Sequence, residues 1–181
     1  MGFKKVLVAI DHSSLSETVF EQALEIAKAN QACLKLYHCL TADTVLMSPP
    51  LSGEFGLPPH YINQAYQTEV VRLEQQMQHT KSLLTHYCNR AAEQSVYTET
   101  DYQTIDPGQG LCQMAQRWGA DLIVLGRRGR KGFTEALLGS VSNYVLHHAP
   151  CAVLVIQTES AEVPTPSRES DTHKTPATYT R

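Results

Sequence analysis

Apolar residues form two kinds of pattern along the chain: continuous runs, and segments with apolar positions three or four residues apart. The runs within Lys5–Ile10, Ala32–Leu40, Asp121–Leu125 and Cys151–Ile156 are continuous rather than alternating. That pattern predicts strands whose two faces are both covered, as in a parallel sheet. Val96–Thr104 alternates instead, which predicts a more exposed strand.

The segments between these strands have helical periodicity. The first follows Asp11, with Ser14 or Ser16 as its predicted N-cap and Glu17 near the positive end of its dipole. The second is a long helix, predicted over roughly Ile62–Gln94. Its predicted apolar face consists of Val70, Leu73, Met77, Leu84, Tyr87 or Cys88, and Ala91.

Two shorter helices complete the pattern, one after the turn Asp106-Pro107-Gly108 and one that begins near Gly139. Strands that alternate with helices predict right-handed crossovers and a doubly wound, parallel α/β fold with helices on both faces of the sheet. Such folds bind ligands beyond the carboxyl ends of the strands, at the point where the strand order reverses. The loops of interest are therefore those after Ile10, Leu40 and Leu125.

The 181 residues are enough for one domain and a short tail. All predicted elements fall within residues 1–156. Residues 157–181 are rich in Pro, Ser and Thr, which predicts a disordered, solvated tail whose hydroxyl groups could be phosphorylated. The connection from Thr41 to about His60 contains several prolines and glycines, which exclude a long regular element there.

Charge and composition exclude several classes of protein. The 15 Lys+Arg and 18 Asp+Glu give a net charge of −3, so we expect neither nucleic acid nor an anionic membrane as partner. No apolar run approaches the roughly 20 residues of a membrane span, and the N-terminus lacks a signal-peptide pattern. We therefore expect a cytoplasmic protein. The five cysteines form no CxxC pair, which favours free thiols that act as small apolar side chains in a reducing compartment over a disulfide or a zinc site.

The segment after Asp121–Leu125 has the features of a phosphate-binding loop. Gly126 and Gly129 would let the backbone adopt a positive φ and approach a ligand closely. Gly139-Ser140 begins a helix, where free N–H groups and the dipole favour an anion, and Ser142 adds a second hydroxyl group. The same residues are also common in turns and caps for conformational reasons alone, so the spacing leaves both interpretations open.

Over residues 3–156 the chain resembles the universal stress protein (UspA-type) family. The resemblance rests on Lys4-Lys5-Val-Leu-Val-Ala-Ile-Asp11 with Ser13, on Ala120-Asp121-Leu-Ile-Val-Leu-Gly126 and, above all, on Gly126-x2-Gly129-x9-Gly139-Ser140. The last pattern is similar to the signature of the ATP-binding branch of the family. The resemblance implies a five-stranded sheet of order 3-2-1-4-5, an adenine nucleotide alpha hydrolase-like fold, and ATP, ADP or AMP as the ligand.

By motif position, the resemblance also implies roles for single residues. Asp11 would contact the ribose or a phosphate-bound divalent ion, Mg²⁺ or Mn²⁺; its alternative role is that of an ordinary helix-entry residue. Ala9 and the backbone of Cys39 would line the adenine pocket, although Cys39 is also typical of a core thiol. Leu125 and Gly126 would flank the sugar. The phosphates would be held by Gly129, Gly139, Ser140, Val141 and Ser142.

The loop is more basic than in many members of the family, because it contains Arg127, Arg128, Arg130 and Lys131. Close to bound phosphates, these cations would raise the affinity and the association rate for an anion. Otherwise they form a solvated, charged loop. Arg128 is the cation that we assign to the nucleotide site.

These observations lead to three hypotheses of function. The first is an ATP-binding stress-response regulator with at most slow ATP hydrolysis, because the sequence identifies no base for the attacking water. It would be a homodimer through the edge strand Cys151–Ile156 and would act on an unknown protein partner. The alternatives are a nucleotide-free dimeric interaction module, in which the glycines only shape turns, and an ATP-dependent adenylating enzyme, which rests on fold analogy alone.

Overall fold

The computed structural model of the chain describes residues 2–40, 59–127 and 139–157. Five strands and four helices alternate along these residues, which confirms the predicted order of elements. The strands are β1 (Lys5–Ala9), β2 (Cys33–Leu40), β3 (Thr98–Thr104), β4 (Leu122–Gly126) and β5 (Ala152–Ile156). The helices are α1 (Leu15–Asn30), α2 (Pro59–Glu93), α3 (Pro107–Trp118) and α4 (Ser140–His148).

Several predicted features lie outside the described residues. They are most of the proline-rich connection, over 41–58, the loop over 128–138 with Arg128 and Gly129, and the tail over 158–181. The last two residues of the predicted connection, Pro59 and His60, are the first residues of α2.

The five strands are parallel and lie in the order β3-β2-β1-β4-β5, as expected. β1 is the central strand, with Val8 opposite Leu36 of β2 and Val124 of β4. The carboxylate Oδ2 of Asp121 accepts hydrogen bonds from the amides of Lys4 and Lys5 at 2.8 and 2.9 Å, which fixes the start of the β1–β4 pair. α1 and α2 cover one face of the sheet, and α3 and α4 cover the other.

Each face of the sheet has its own apolar cluster. Val6 and Val8 belong to the cluster under α1 and α2, whereas Leu7 between them belongs to the cluster under α3 and α4. All three side chains are fully buried. Burial on both faces is the reason why the strand sequences are continuously apolar. β3, at one edge, is largely exposed or half-buried, as its alternating pattern predicts.

α2 is much longer than the sheet that it covers. Its 35 residues extend over about 52 Å at 1.5 Å per residue, whereas the 8 residues of β2 extend over about 26 Å. Leu84, Tyr87 and Ala91 are buried, as predicted. Leu73 and Met77, predicted for the same face, are 46% and 37% exposed, so that part of the prediction is wrong. None of the described strands is long enough to lie beneath the whole of this helix. None of the described helices, α2 included, is both long and apolar enough to cross a membrane.

The start of α1 differs from the predicted cap. Ser14 occupies the N-cap position, but its side chain makes no capping hydrogen bond, and the Ser16 hydroxyl donates to Asp11 instead. Glu17 lies in the first turn, as expected, and forms an ion pair with Arg90 of α2. The hydrogen bond from Arg90 lowers the pKa of the Glu17 carboxyl group. This ion pair joins the two helices on that face of the sheet.

Candidate functional site

The carboxyl ends of β1 and β4 lie side by side, and the chain leaves them toward opposite faces of the sheet. β1 leads to α1 on one face, and β4 leads to α4 on the other. Such a divergence leaves a crevice at the strand ends, where α/β folds bind ligands. Of the residues predicted for the site, those that the structure describes lie at this edge of the sheet or in the first turn of α4. They are Ala9, Asp11, Cys39, Leu125, Gly126, Gly139, Ser140, Val141 and Ser142.

Hydrogen bonds to its carboxylate hold Asp11 in one orientation. Its Oδ1 accepts from the Ser13 amide and from the Ser16 hydroxyl, each at 2.8 Å, and also from the Ser13 hydroxyl. The Ser16 hydroxyl in turn accepts from the Asp11 amide at 2.9 Å. These bonds close a tight turn between β1 and α1. A carboxylate fixed in this way beside the crevice suits a ribose hydroxyl group or a hydrated cation.

His38 of β2 supports this turn and was not predicted as a site residue. It is buried, and its Nδ1 lies 2.7 Å from the carbonyl oxygen of Ile10. Because a carbonyl oxygen can only accept, Nδ1 carries the proton and donates. Burial lowers the pKa of His38, which keeps the ring neutral at neutral pH. The signal in the sequence was a histidine within a buried apolar strand, since a buried polar side chain needs a partner.

Ala9 and Cys39 lie near the ends of the neighbouring strands β1 and β2. Both side chains pack against the apolar cluster under α3 and α4. The Cys39 sulfur lies 3.9 Å from the carbonyl oxygen of Pro107, and burial raises the pKa of its thiol to about 11. The thiol is therefore protonated at neutral pH and unsuited to nucleophilic chemistry. A contact of Cys39 with a ligand would involve its backbone.

Gly126 allows close packing rather than a left-handed backbone. A Cβ atom at this last residue of β4 would lie 2.6 Å from Leu15 Cδ2 and 3.2 Å from Val19 Cγ2 of α1. Gly126 does not have a positive φ, so the prediction of one was wrong. The preceding residue, Leu125, is buried in the cluster on the opposite face. The missing side chain of Gly126 thus lets α1 pack close to the end of β4.

α4 begins at the carboxyl edge of the sheet, and its N-cap residue is a glycine. Gly139 is its N-cap residue, with φ −57° and ψ 154°, and makes no side-chain capping bond. The first N–H groups of a helix have no acceptor within the helix, and they lie at the positive end of its dipole. Ser140 is exposed, and Val141 packs on the apolar cluster below. This turn therefore offers amide donors and a hydroxyl group to an anion.

The hydroxyl group of Ser142, predicted to bind a phosphate, has a different partner in the structure. Ser142 is buried, and its hydroxyl donates to the carbonyl oxygen of Gly139 at 3.0 Å. The proton that was expected to serve a phosphate is thus engaged within the helix. Ser142 stabilises the turn, and the donors directed outward are those of the backbone and of Ser140.

The arrangement as a whole suits an anionic ligand with hydroxyl groups. Asp11 follows β1, and the amide groups of the first turn of α4 lie at the same edge of the sheet. In the described parts of the chain, no three His, Cys, Asp or Glu side chains are grouped to hold a metal ion. Mg²⁺ on a nucleotide needs only one or two protein carboxylates, since phosphates and water supply the other ligands. Asp11 fits that requirement.

The chain is similar to proteins of one known family. A model of the universal stress protein family matches residues 2–157. Universal stress protein Sll1388 of Synechocystis sp. is 36% identical over 159 residues, which cover 87% of this chain and 99% of that protein.

Two solved structures share the fold. A universal stress protein family protein from Arabidopsis thaliana with AMP bound has a TM-score of 0.56 at 24% identity, over 90% of this chain and 97% of that one. The universal stress protein from Archaeoglobus fulgidus in complex with dAMP has a TM-score of 0.53 at 20% identity, over 86% of this chain and 98% of that one. At these identities the likeness concerns the fold.

Proposed function

The chain belongs to the universal stress protein family, and from this premise we propose that the crevice between β1 and β4 binds an adenine nucleotide, ATP in particular. The observation that carries the proposal is the first turn of α4, which begins at a glycine N-cap and lies at the same edge of the sheet as Asp11. AMP and dAMP in structures of the same fold support the nucleotide class.

The residues divide between the two ends of the nucleotide. Ala9, Leu125 and the backbone of Cys39 border the adenine and the ribose, and Asp11 binds the ribose or a phosphate-bound Mg²⁺ or Mn²⁺. When bound, such an ion neutralises phosphate charge and joins the nucleotide to Asp11. The phosphates lie on the amides of the first turn of α4. The proposed phosphate-binding residues are Arg128, Gly129, Gly139, Ser140, Val141 and Ser142.

We propose a regulatory role with at most slow hydrolysis. The carboxylate that borders the crevice, Asp11, already has three hydrogen bonds to Oδ1 and is fixed by them. The buried His38 donates its Nδ1 proton to the Ile10 carbonyl, which makes it part of the framework. A bound nucleotide would alter the surface near α4 that a protein partner meets, in a protein that we place in the cytoplasm. The proposed domain comprises residues 1–156, and residues 157–181 are proposed as a tail.

Nucleotide binding is tested by titration calorimetry with ATP and Mg²⁺. Proline is tolerated at the first position of a helix, and the extended ψ of Gly139, 154°, suits a residue before proline. We therefore expect Ser140→Pro to keep α4 intact, to remove one amide donor and to weaken ATP binding about tenfold, the worth of one hydrogen bond to a charged group. Ser140→Ala, which removes only the hydroxyl, is the matched control and should weaken binding by less. Wild-type protein that gives no heat at millimolar ATP would refute the proposal.

We also propose a homodimer through β5. This strand pairs with β4 on one side and is the edge of the described sheet. Ala152 is exposed, and Leu146 on the preceding helix is 44% exposed. An edge with apolar side chains is prone to pair with another strand, and a two-fold related copy supplies one.

The dimer is tested by sedimentation velocity. Lysine on an edge strand opposes pairing, so Ala152→Lys should convert a dimer of the 20.1-kDa chain into a monomer. Tyr97→Lys, a change at an exposed residue beside the opposite edge strand β3, should leave the dimer intact. A dimer with a dissociation constant of about 1 µM would be mostly formed at a chain concentration of about 100 µM, so a wild-type protein that sediments as a monomer there contradicts the proposal.

A further inference from the structure

Arg127 is held at the carboxyl edge of the sheet by its backbone and by its side chain. It directly follows β4, and its amide donates to the carbonyl oxygen of Ile156 at 2.8 Å, which extends the β4–β5 pair. Its guanidinium Nη1 donates to Oε1 of Gln157 at 2.8 Å. The side chain is half-buried and has a defined direction.

The guanidinium group is incompletely satisfied. Its Nε is buried and has no hydrogen-bond partner within the described parts of the chain. The partner of Nη1, the Gln157 amide, is neutral. A buried N–H group of a cation without an acceptor is costly, and such a group in a native protein calls for an explanation. An anion beside it would supply both an acceptor and the opposite charge.

The alternation of the strand places Arg127 on the face of the sheet where α4 begins. Leu125 packs with Val141 of α4 in the cluster on that face, and Gly126 faces α1 on the other. Successive residues of an extended chain point to opposite faces, so Arg127 lies on the same face as Leu125, one step nearer to the carboxyl edge. The first turn of α4, which includes Val141, begins at that edge. The cation and the first-turn amides of α4 thus lie on the same face of the sheet and at the same edge.

We infer that Arg127 is a specificity-determining residue that binds the outer phosphates of the nucleotide and makes the site prefer ATP and ADP to AMP. Gln157 is its positioning residue. The inference rests on the proposed nucleotide site and adds the residue that distinguishes ATP and ADP from AMP. Arginine is suited to this role because its planar guanidinium group donates two parallel hydrogen bonds to phosphate oxygens.

The test compares the dissociation constants of ATP, ADP and AMP by titration calorimetry. We expect Arg127→Ala to weaken ATP binding about tenfold or more, the usual loss for a hydrogen bond to a charged group. AMP binding should weaken by less than about threefold, because only a weak charge effect over a longer distance is lost. Arg127→Lys keeps the charge but lacks Nε, and it should restore only part of the ATP preference. Gln157→Ala should reduce that preference by a smaller factor than Arg127→Ala does.

Arg117→Ala is the matched control for net charge. Arg117 of α3 donates to Gln103 at 3.2 Å and is exposed, so its loss should leave the ratio of ATP to AMP affinity unchanged. A wild-type protein that binds none of the three nucleotides overturns the proposed function. A wild-type protein that binds them, with the same ATP-to-AMP ratio in Arg127→Ala, overturns the role of Arg127 alone. If Arg127→Ala does not fold, the ATP-to-AMP affinity ratios of Arg127→Lys and Gln157→Ala decide the role of Arg127. Ratios equal to that of the wild type overturn it.

Discussion

Replacement of Gly126 by valine is expected to lower the free energy of unfolding by about 2–3 kcal/mol, at the upper end for an overpacked core. The new Cβ would lie 2.6 Å from Leu15 Cδ2, 2.9 Å from Leu15 Cγ and 3.2 Å from Val19 Cγ2. These atoms belong to the first turns of α1, which are packed on the sheet and cannot withdraw without loss of burial. Urea denaturation of the wild type and the variant measures the difference.

A second variant identifies the cause of that loss. Gly126→Ala should be destabilised as well, and Leu15→Ala in the same chain should recover part of the loss because it removes both of the nearest contacts. Leu15→Ala alone leaves a cavity and costs stability in the wild-type background. If the two alanine substitutions are simply additive, or if Gly126→Val unfolds at the wild-type urea concentration, close packing is not the reason for this glycine.

Replacement of Asp11 by alanine is expected to have the largest effect on the site, a loss of ATP affinity of at least about tenfold, since hydrogen bonds to charged groups each contribute about 1.5–3 kcal/mol. The substitution removes the acceptor of the Ser13 and Ser16 hydrogen bonds and thereby releases the turn between β1 and α1. It also removes the carboxylate proposed to bind the ribose or the divalent ion. Titration with ATP, with and without Mg²⁺, measures both contributions.

Asp11→Asn is the matched control, because its Oδ1 still accepts from Ser13 and Ser16 while the charge is lost. If Asp11 binds the ion, this variant retains Mg²⁺-free ATP binding but loses the increase that Mg²⁺ gives to the wild type. If Asp11 binds only the ribose, the effect of the variant does not depend on Mg²⁺. ATP affinity in Asp11→Ala equal to that of the wild type would exclude Asp11 from the site.

Most of the fold could be predicted because the sheet is buried on both faces. A strand such as β1, with Val6, Leu7 and Val8 all fully buried, has a continuous apolar sequence whose short length and β-branched residues favour a strand over a buried helix. The length of α2 was also evident, but its partners were not. Helical periodicity places Leu73 and Leu84 on one stripe, and it contains no information on where the sheet beneath ends, so Leu73 was wrongly expected to be covered.

The sequence indicated which residues lie at the carboxyl edge of the sheet, but not the contacts that each of them makes. The rule that ligands bind at the strand ends directed attention to Asp11, Gly126 and Gly139. Whether a glycine serves a turn or a close approach depends on what packs against it, here Leu15 from a distant part of the chain. The engagement of the Ser142 hydroxyl and of His38 likewise depends on contacts in three dimensions.

The central position of β1 has a consequence for the order of events in folding. Its partner β4 comes late in the chain; the Lys5 amide donates to Asp121, 116 positions further along. Contacts over such a separation form slowly, because the loop entropy is lost before the contact compensates for it. During synthesis, β1 can therefore gain its second neighbour only after most of the polypeptide has left the ribosome. Under the proposed function, ATP would recognise only completed domains and would stabilise them by mass action, without guiding their earlier assembly.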